Sequence, residues 1–253
     1  MSSHLLVKIF QSRIDKVRIV FLFNILCSIL YISYYGLSLS DAGIIYAVFF
    51  LMNCLGITIT FHRYYSHRSF QFKNSLLENM CLILGSLSCS GSAIGWVGIH
   101  RKHHQHSDEK DDPHQASRGL WDMLSLAYDS DFNVRYVKDL IRKQNIMFNH
   151  NYYFLIPFIY AVLCFSIFGL WGFVVLFTLP ASITLASEGL TNYINHKEHN
   201  DYQPVNVWWI NLFSFGDGWH KNHHDIPSKY TTKQKWYEVD MSGLVIKTLL
   251  RKV

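Results

Sequence analysis

Four stretches of this chain carry no Asp, Glu, Lys or Arg, and their lengths limit the fold more than any other feature. They run from Ile19 to Ser40, from Ala42 to His62, from Asn79 to His100 and from Gln144 to Ser187. A helix needs about 20 apolar residues to cross the hydrocarbon core of a bilayer. The first two stretches each fit one span (17–37 and 43–62), separated by the short segment Leu37-Ser-Leu-Ser-Asp-Ala42. The last fits two (151–170 and 173–192), broken at Phe168-Gly-Leu-Trp-Gly172. The third is long enough to cross, but 79–99 contains four Ser and four Gly. It reads as an interfacial or re-entrant helix packed under a polar domain, and Tyr202 to Gly216, too short to cross, reads the same way. The first apolar stretch is too long for a signal h-region and lacks a small-residue cleavage site, so it reads as a retained anchor.

Charge sets the orientation. All 23 Lys and Arg fall within 1–18, 63–143 or 197–253. The positive-inside rule places the N-terminus, the central loop and the C-terminus in the cytoplasm. The expected fold is an all-α integral membrane protein of one domain, with four transmembrane helices under a helical cytoplasmic cap (63–150 and 193–253). Only 16% of residues are charged, against about 25% in soluble proteins, which argues against an ordinary soluble enzyme. The formal net charge of +5 suits a basic face against anionic headgroups and calls for no nucleic acid. Five cysteines form no CxxC pair and sit in apolar stretches, against a disulfide framework or a Cys-based metal site.

Histidine is the anomaly, with 14 in the chain, most of them clustered. The clusters are His62-Arg-Tyr-Tyr-Ser-His67, His100-Arg-Lys-His-His104 and His220-Lys-Asn-His-His224. At about 100° per residue, positions i, i+3 and i+4 lie within an arc of about 100°. Each HxxHH therefore presents three imidazoles on one helical face, which suits metal ligation. His62 and His67 diverge by about 140° at the same pitch. They share a site only if they approach different metals or the helix ends between them. At the end of the fourth span, Asn192 and His196 are i, i+4 and cofacial. That makes nine imidazoles and an amide, enough for two metals of four to five ligands each. Imidazole suits Fe, Zn, Cu or Ni; zinc would serve hydrolysis, and redox chemistry needs iron or copper. His4, His114 and His150 have no partner at ligand spacing and read as surface or interfacial, and His106 and His199 are left outside the ligand set. On the second span Tyr46, Phe50 and Leu51 lie below His62 at roughly helical spacing, as candidates to close the end of an apolar channel among the spans.

These residues carry a resemblance. The chain resembles integral-membrane fatty acid desaturases of the acyl-CoA/Δ9 type, the stearoyl-CoA desaturase family and its bacterial relatives. The likeness runs roughly from Gly43 to Leu250. It rests on His62-Arg-x-x-Ser-His67, on His100-Arg-Lys-His-His-Gln-His-Ser-Asp108, and on Asp112-Pro-His114 followed by Arg118-Gly119. It rests also on Gly216-Asp-Gly-Trp-His-Lys-Asn-His-His224 and on Trp236, Glu238 and Asp240 near the end. The resemblance implies two irons held by His62, His67, His100, His103, His104, His196, His220, His223 and His224, with Asn192 acting through a water. It implies insertion of a cis double bond into a saturated acyl chain, using O2 and two electrons. Gly98 and Ile99 stand where animal acyl-CoA desaturases have Arg-Asp, which leaves acyl-CoA, acyl-ACP and acyl-lipid substrates open. The electrons are expected from a separate protein of cytochrome b5, ferredoxin or rubredoxin type, docking near Lys102, Lys110 and Arg118. A fatty acyl hydroxylase with the same kind of site is the nearer alternative. A His-rich metal transporter or sensor is the distant one, because Glu188 is the only acid in the late spans and lies near their cytoplasmic end.

Overall fold

The computed structural model of the chain describes residues 3–124, 131–196 and 203–252. The described residues form helices without a strand, the only pairings being isolated bridges between Phe72 and Arg251 and between Asn206 and Trp219. Three helical segments are long and apolar enough to cross a membrane: Lys16–Tyr35, Leu39–Ser66 and Leu155–Asn195. The first ends α1 (Ser3–Tyr35) and the second is α2 (Leu39–Ser66). A capping box starts α2: the Asp41 amide donates to Ser38 Oγ at 3.1 Å and the Ser38 amide to the Asp41 carboxylate at 2.9 Å. Two backbone donors are thereby satisfied where the helix has no earlier turn to supply acceptors.

The third segment is no straight rod. At Gly169 (φ 65°, ψ −152°) the helical path breaks. Tyr160 Oη donates to the Leu176 carbonyl at 3.3 Å, and the Tyr160 and Phe177 rings lie 6.0 Å apart. Sixteen residues of continuous helix would hold them about 24 Å apart. The segment is therefore a hairpin of α7 (Leu155–Phe173) and α8 (Leu179–Asn195), reversing within the expected Phe168–Gly172 turn. Trp171 Nε1 donates to Asp41 Oδ1 at 2.8 Å, so this turn and the α1–α2 turn lie at the same end of the bundle.

The stretch 79–99 is not the single helix expected. It divides between α3 (Ser75–Leu87) and α4 (Ala93–His106). Cys89 (φ 63°) and Gly91 (φ 90°) adopt the left-handed conformation between them. Serine hydroxyls take over the backbone groups that the break frees: Ser88 Oγ donates to the Gly85 carbonyl and Ser92 Oγ caps the Gly95 amide. α3 lies hard against α2, since a Cβ on Gly56 would come within 2.4 Å of the Gly85 backbone nitrogen. The remaining helices are α5 (Leu120–Leu124), α6 (Gln144–Tyr152), α9 (Asn211–Ser214), α10 (His220–Asp225) and α11 (Met241–Val245).

Candidate metal centre

α2 changes pitch as it nears the histidines. From Leu51 to Ser66 it runs in wide π-type turns, and the His67 amide donates to the His62 carbonyl at 3.2 Å, an i+5 bond. Closing the turn over five residues brings position i+5 back above position i, and the helix ends at Ser66. His62 and His67 therefore meet, with ring centroids 5.0 Å apart, rather than diverging as regular pitch dictates.

The structure gathers all nine of these histidines into two groups. His62, His67, His100, His104 and His223 form one; His103, His196, His220 and His224 form the other. Within each, one ring nitrogen per residue lies within 4.8 Å of every other. α4 feeds both, because His100 and His104 share one side of its last turns and His103 another. α10 feeds both likewise. Asn192 lines a small cavity of about 60 Å³ beside His62, His100 and His220.

Second contacts orient three of the rings. His62 Nδ1 lies 3.1 Å from Asp217 Oδ2, His103 Nδ1 2.8 Å from Asp112 Oδ1, and His196 Nδ1 3.0 Å from Asp108 Oδ1. An ionised carboxylate only accepts, so in each pair Nδ1 is the donor and Nε2 is the atom turned toward the cluster. For His62 and His196 that atom faces another imidazole. His223 Nε2 is 2.9 Å from His62 Nε2 and 3.0 Å from His104 Nε2. His220 Nε2 is 2.8 Å from His196 Nε2 and 3.1 Å from His224 Nε2. His103 Nε2 is buried with no hydrogen-bond partner.

Protons cannot settle this arrangement. A neutral imidazole has one N–H, too few for nitrogens that each face two others. Charging the rings is opposed by burial first, and then by neighbouring histidines. Together they push His67, His100, His104, His220, His223 and His224 well below the ordinary imidazole range. Burial likewise lowers His196, although Asp108 opposes it. Nine converging imidazoles, three of them braced at Nδ1 by carboxylates, are what a metal ion requires. The donor set fits one ion in each group.

Two arginines tie the clusters together, and each follows the first histidine of its motif. Arg63, 1% exposed, donates to Asp240 at 2.9 and 3.0 Å, to Asp217 at 3.1 Å and to the Tyr230 carbonyl at 3.0 Å. Burial raises the Asp217 carboxyl, yet His62 and Arg63 hold it down at about 2. Arg101 donates to the Tyr65 and Ser66 carbonyls at the end of α2 and pairs with Asp139 at 2.8 Å. α2, α4 and the C-terminal segment are thus fixed to one another around the rings.

The strap before the third cluster is anchored by its carbonyls. Tyr46 Oη donates to the Leu212 carbonyl, Asn53 Nδ2 and Ser187 Oγ to that of Phe213, and Thr58 Oγ1 to that of Ser214. The Ser242 amide takes the Phe215 carbonyl. Side chains of α2 and α8 therefore satisfy an irregular backbone that apolar surroundings would penalise.

A sequence model of the fatty acid desaturase family matches residues 42–241. The sn-1 stearoyl-lipid 9-desaturase of Synechocystis sp. is 34% identical over 220 residues, 82% of this chain and 68% of that protein. The chain belongs to the fatty acid desaturase family. The sn-1 stearoyl-lipid 9-desaturase of Anabaena variabilis is 32% identical over 223 residues, covering 84% of this chain and 81% of its own. Acyl-CoA desaturase 1 of Saccharomyces cerevisiae is 29% identical over 216 residues, 78% of this chain and 42% of its own.

The desaturase places its other histidines unevenly. His114 is not at the surface: it is 7% exposed, lines the small cavity, and its ring lies 5.3 Å from that of His103. Its backbone amide is drawn in by Asp112 at 2.8 Å. His150 is partly buried against Ser92, and His106 pairs with Glu109 at 3.2 Å. His199 and the side chain of His4 lie outside the described residues. Tyr46 lines a groove with Leu212 and Phe215, Phe50 packs on the Phe215 ring at 5.1 Å, and Leu51 is exposed. None of the three lines the cavity beside the histidines. Lys102 Nζ donates to the Asp131 carbonyl, Lys110 is exposed, and the Arg118 side chain lies outside the described residues.

Proposed function

We propose that this desaturase inserts a cis Δ9 double bond into a saturated acyl chain carried on a membrane glycerolipid. The carrier and the bond position follow the names of its cyanobacterial relatives, which are lipid 9-desaturases. The enzyme crosses the bilayer four times, as α1, α2 and the two arms of the α7–α8 hairpin. Both termini and the histidine cap face the cytoplasm. The Trp171–Asp41 contact supports this reading, because it joins the two turns at the end of the bundle without Lys or Arg.

The five-histidine group holds one iron and the four-histidine group a second, with Asn192 acting through a water. The convergence of nine imidazoles, one ring nitrogen from each, into two tight groups carries this reading. Bound iron supplies, with O2 and two electrons from a separate donor, the oxidising power that an unactivated methylene demands. The chain itself contributes placement. Asp217, Asp112 and Asp108 hold proton and tautomer at Nδ1, and Arg63 and Arg101 lock the three ligand-bearing elements. The cavity bounded by Trp96, Ile99 and Thr58 keeps the reacting carbons apart from bulk water. The donor, of cytochrome b5, ferredoxin or rubredoxin type, docks on the basic cytoplasmic face that includes Lys110.

The test is a fatty-acid profile by lipid class, with double bonds located by derivatisation, in cells making the enzyme or its His223→Ala variant. A Δ9 monoene that appears first in glycerolipids, and only with the intact enzyme, is the expected result. A monoene appearing first in thioesters would reassign the carrier. An oxygenated acid in its place would make the enzyme a hydroxylase.

A further inference from the structure

Glu188 is the only acid in the run of α7 and α8, on a helix apolar enough to cross a membrane. An ionisable side chain in such a helix is costly to place and calls for named partners. Both of its oxygens are engaged. Oε1 accepts from Ser90 Oγ at 2.6 Å, in the turn between α3 and α4, and Oε2 accepts from Trp96 Nε1 at 2.7 Å. Trp96 in turn covers a metal-site ring: its indole stacks on His100 with centroids 4.9 Å apart and planes at 23°. It also lies 6.1 Å from the rings of His62 and Phe61. Glu188, Trp96, His62 and His100 line the same small cavity.

The geometry points to Glu188 as a positioning residue, which acts through Trp96. Its carboxylate pins the indole flat against His100, so that one rigid wall both fixes the angle of that ring and sets which methylenes of the acyl chain face the histidines. The inference rests on the acyl-chain reading of the cavity. An indole N–H has one donor and no second anchor. Without its acceptor the ring is free to turn about χ1 and χ2, and the wall and the His100 stack move with it. Ser90, itself held by Ser88 Oγ at 2.9 Å, keeps the carboxylate from turning away. The assignment makes Glu188 part of how the double-bond position is chosen.

The full chain, labelled with ¹⁵N-tryptophan and placed in lipid nanodiscs, reports the bond directly. Trp96→Phe identifies the Trp96 indole signal among those of the seven tryptophans. That signal should exchange slowly with solvent. Glu188→Gln, which keeps an acceptor oxygen, should leave it nearly unmoved; Glu188→Leu should shift it and speed exchange about tenfold or more. In the iron-loaded enzyme, Glu188→Leu and Trp96→Phe should spread the double bond over neighbouring positions, and the double variant should be no worse than either single one. An unmoved indole signal in Glu188→Leu, additive effects in the double variant, or a Gln variant as damaged as Leu would each overturn the assignment. If Glu188→Leu does not fold, Trp96→Phe decides alone, since it keeps an aromatic ring at that position while removing the indole N–H that Glu188 accepts; an unchanged double-bond position would overturn the assignment. A shifted indole signal in a protein making no double bond at all would leave the Glu188–Trp96 bond standing and sink the acyl-chain reading instead.

Discussion

The two histidine groups share α4 and α10 and differ in what completes them. The five-histidine group adds the last turns of α2, and Arg63 and Arg101 clamp it. Among the described residues one of its rings, His62, rests on a carboxylate, and that carboxylate is shared with Arg63. The four-histidine group draws His196 from just past the end of α8, and acids from the loop after α4 hold its rings. Asp112 holds His103 and also accepts the amides of Asp108 and His114 at 2.8 Å, while Asp108 holds His196. Among the described residues neither acid pairs with a Lys or Arg. The first group is therefore set by helix register, and the second by nearby negative charge. Charge compensates a cation; register only aims ligands at it. The ion in the four-histidine group should be the more firmly held of the two.

The largest effect tests whether both groups are needed at once. His223 Nε2 faces His62 and His104 from the centre of the five-histidine group. His223→Ala should abolish product and lower iron from two per chain to about one, the remaining ion sitting in the four-histidine group. Elemental analysis with a product assay reads both quantities. Complete loss of iron would show that the groups load as one unit and would break the comparison.

Acid should separate the groups. Burial lowers seven of the nine imidazoles in the folded protein, so the unfolded chain binds more protons than the native one as pH falls below about 6.5. A group with a depressed native imidazole contributes stability above its unfolded value and loses it below. Each such ring adds to that loss in the metal-free protein. Metal-free desaturase should therefore unfold steeply between pH 6.5 and 5, followed by helical circular dichroism in detergent. In the loaded enzyme, protons compete with iron for the same nitrogens. Iron should leave the five-histidine group at the higher pH, because it has less carboxylate to oppose the proton. Release of both ions at one pH would say that shared elements α4 and α10, rather than local acids, set retention.

Asp112→Asn and Asp217→Asn sharpen the same point at smaller amplitude. Each removes an acceptor behind one ligand, which typically costs about 10–100-fold in metal affinity. Asp217→Asn also leaves the buried Arg63 with Asp240 as its remaining carboxylate, so its thermal unfolding temperature should fall further than that of Asp112→Asn. Metal titration of the apo-protein with differential scanning of each variant measures the two effects separately. Equal stability losses would mean that Asp240 alone satisfies Arg63.

Much of this arrangement is legible from charge-free runs and histidine spacing, since both follow from regular helix geometry. The Phe168–Gly172 break is a local feature of that kind; the i, i+3, i+4 triplets are legible as runs of ligands, though the structure divides each between the two groups rather than presenting it on one face. What spacing alone misreads is irregular. His62 and His67 meet because α2 widens into π-type turns and then stops, which no hydrophobic period announces. The 79–99 run folds as two helices because Ser88 and Ser92 bond the backbone groups freed at the break. His114 is buried because Asp112 pulls its backbone inward, a contact fixed only once Asp112 has found His103. Asp108, Asp112, Asp217 and Asp240 stand in the quoted motifs, but their partners lie up to 177 residues away in sequence. A signal for them was present: acids immediately beside histidine motifs in a chain otherwise poor in charge.

The smallest expected effect lies inside the third histidine motif itself. Lys221 stands between His220 and His223 in sequence, yet its side chain is 58% exposed and turned away from them. Among the described residues its ion pair is with Asp225, at 3.2 Å and one helical turn on. Exposed i, i+4 pairs contribute about 0.3–0.5 kcal/mol. Lys221→Ala should therefore leave iron content, double-bond position and unfolding temperature close to those of the parent, with product yield unchanged within a factor of about two. His220→Ala, next to it in the chain, should lose the ion of the four-histidine group. Parallel iron and product measurements on the two variants decide whether the motif acts as a string of letters or as one face of a helix. A Lys221→Ala enzyme that bound iron normally but turned over slowly would instead place that lysine on the surface where the electron donor docks.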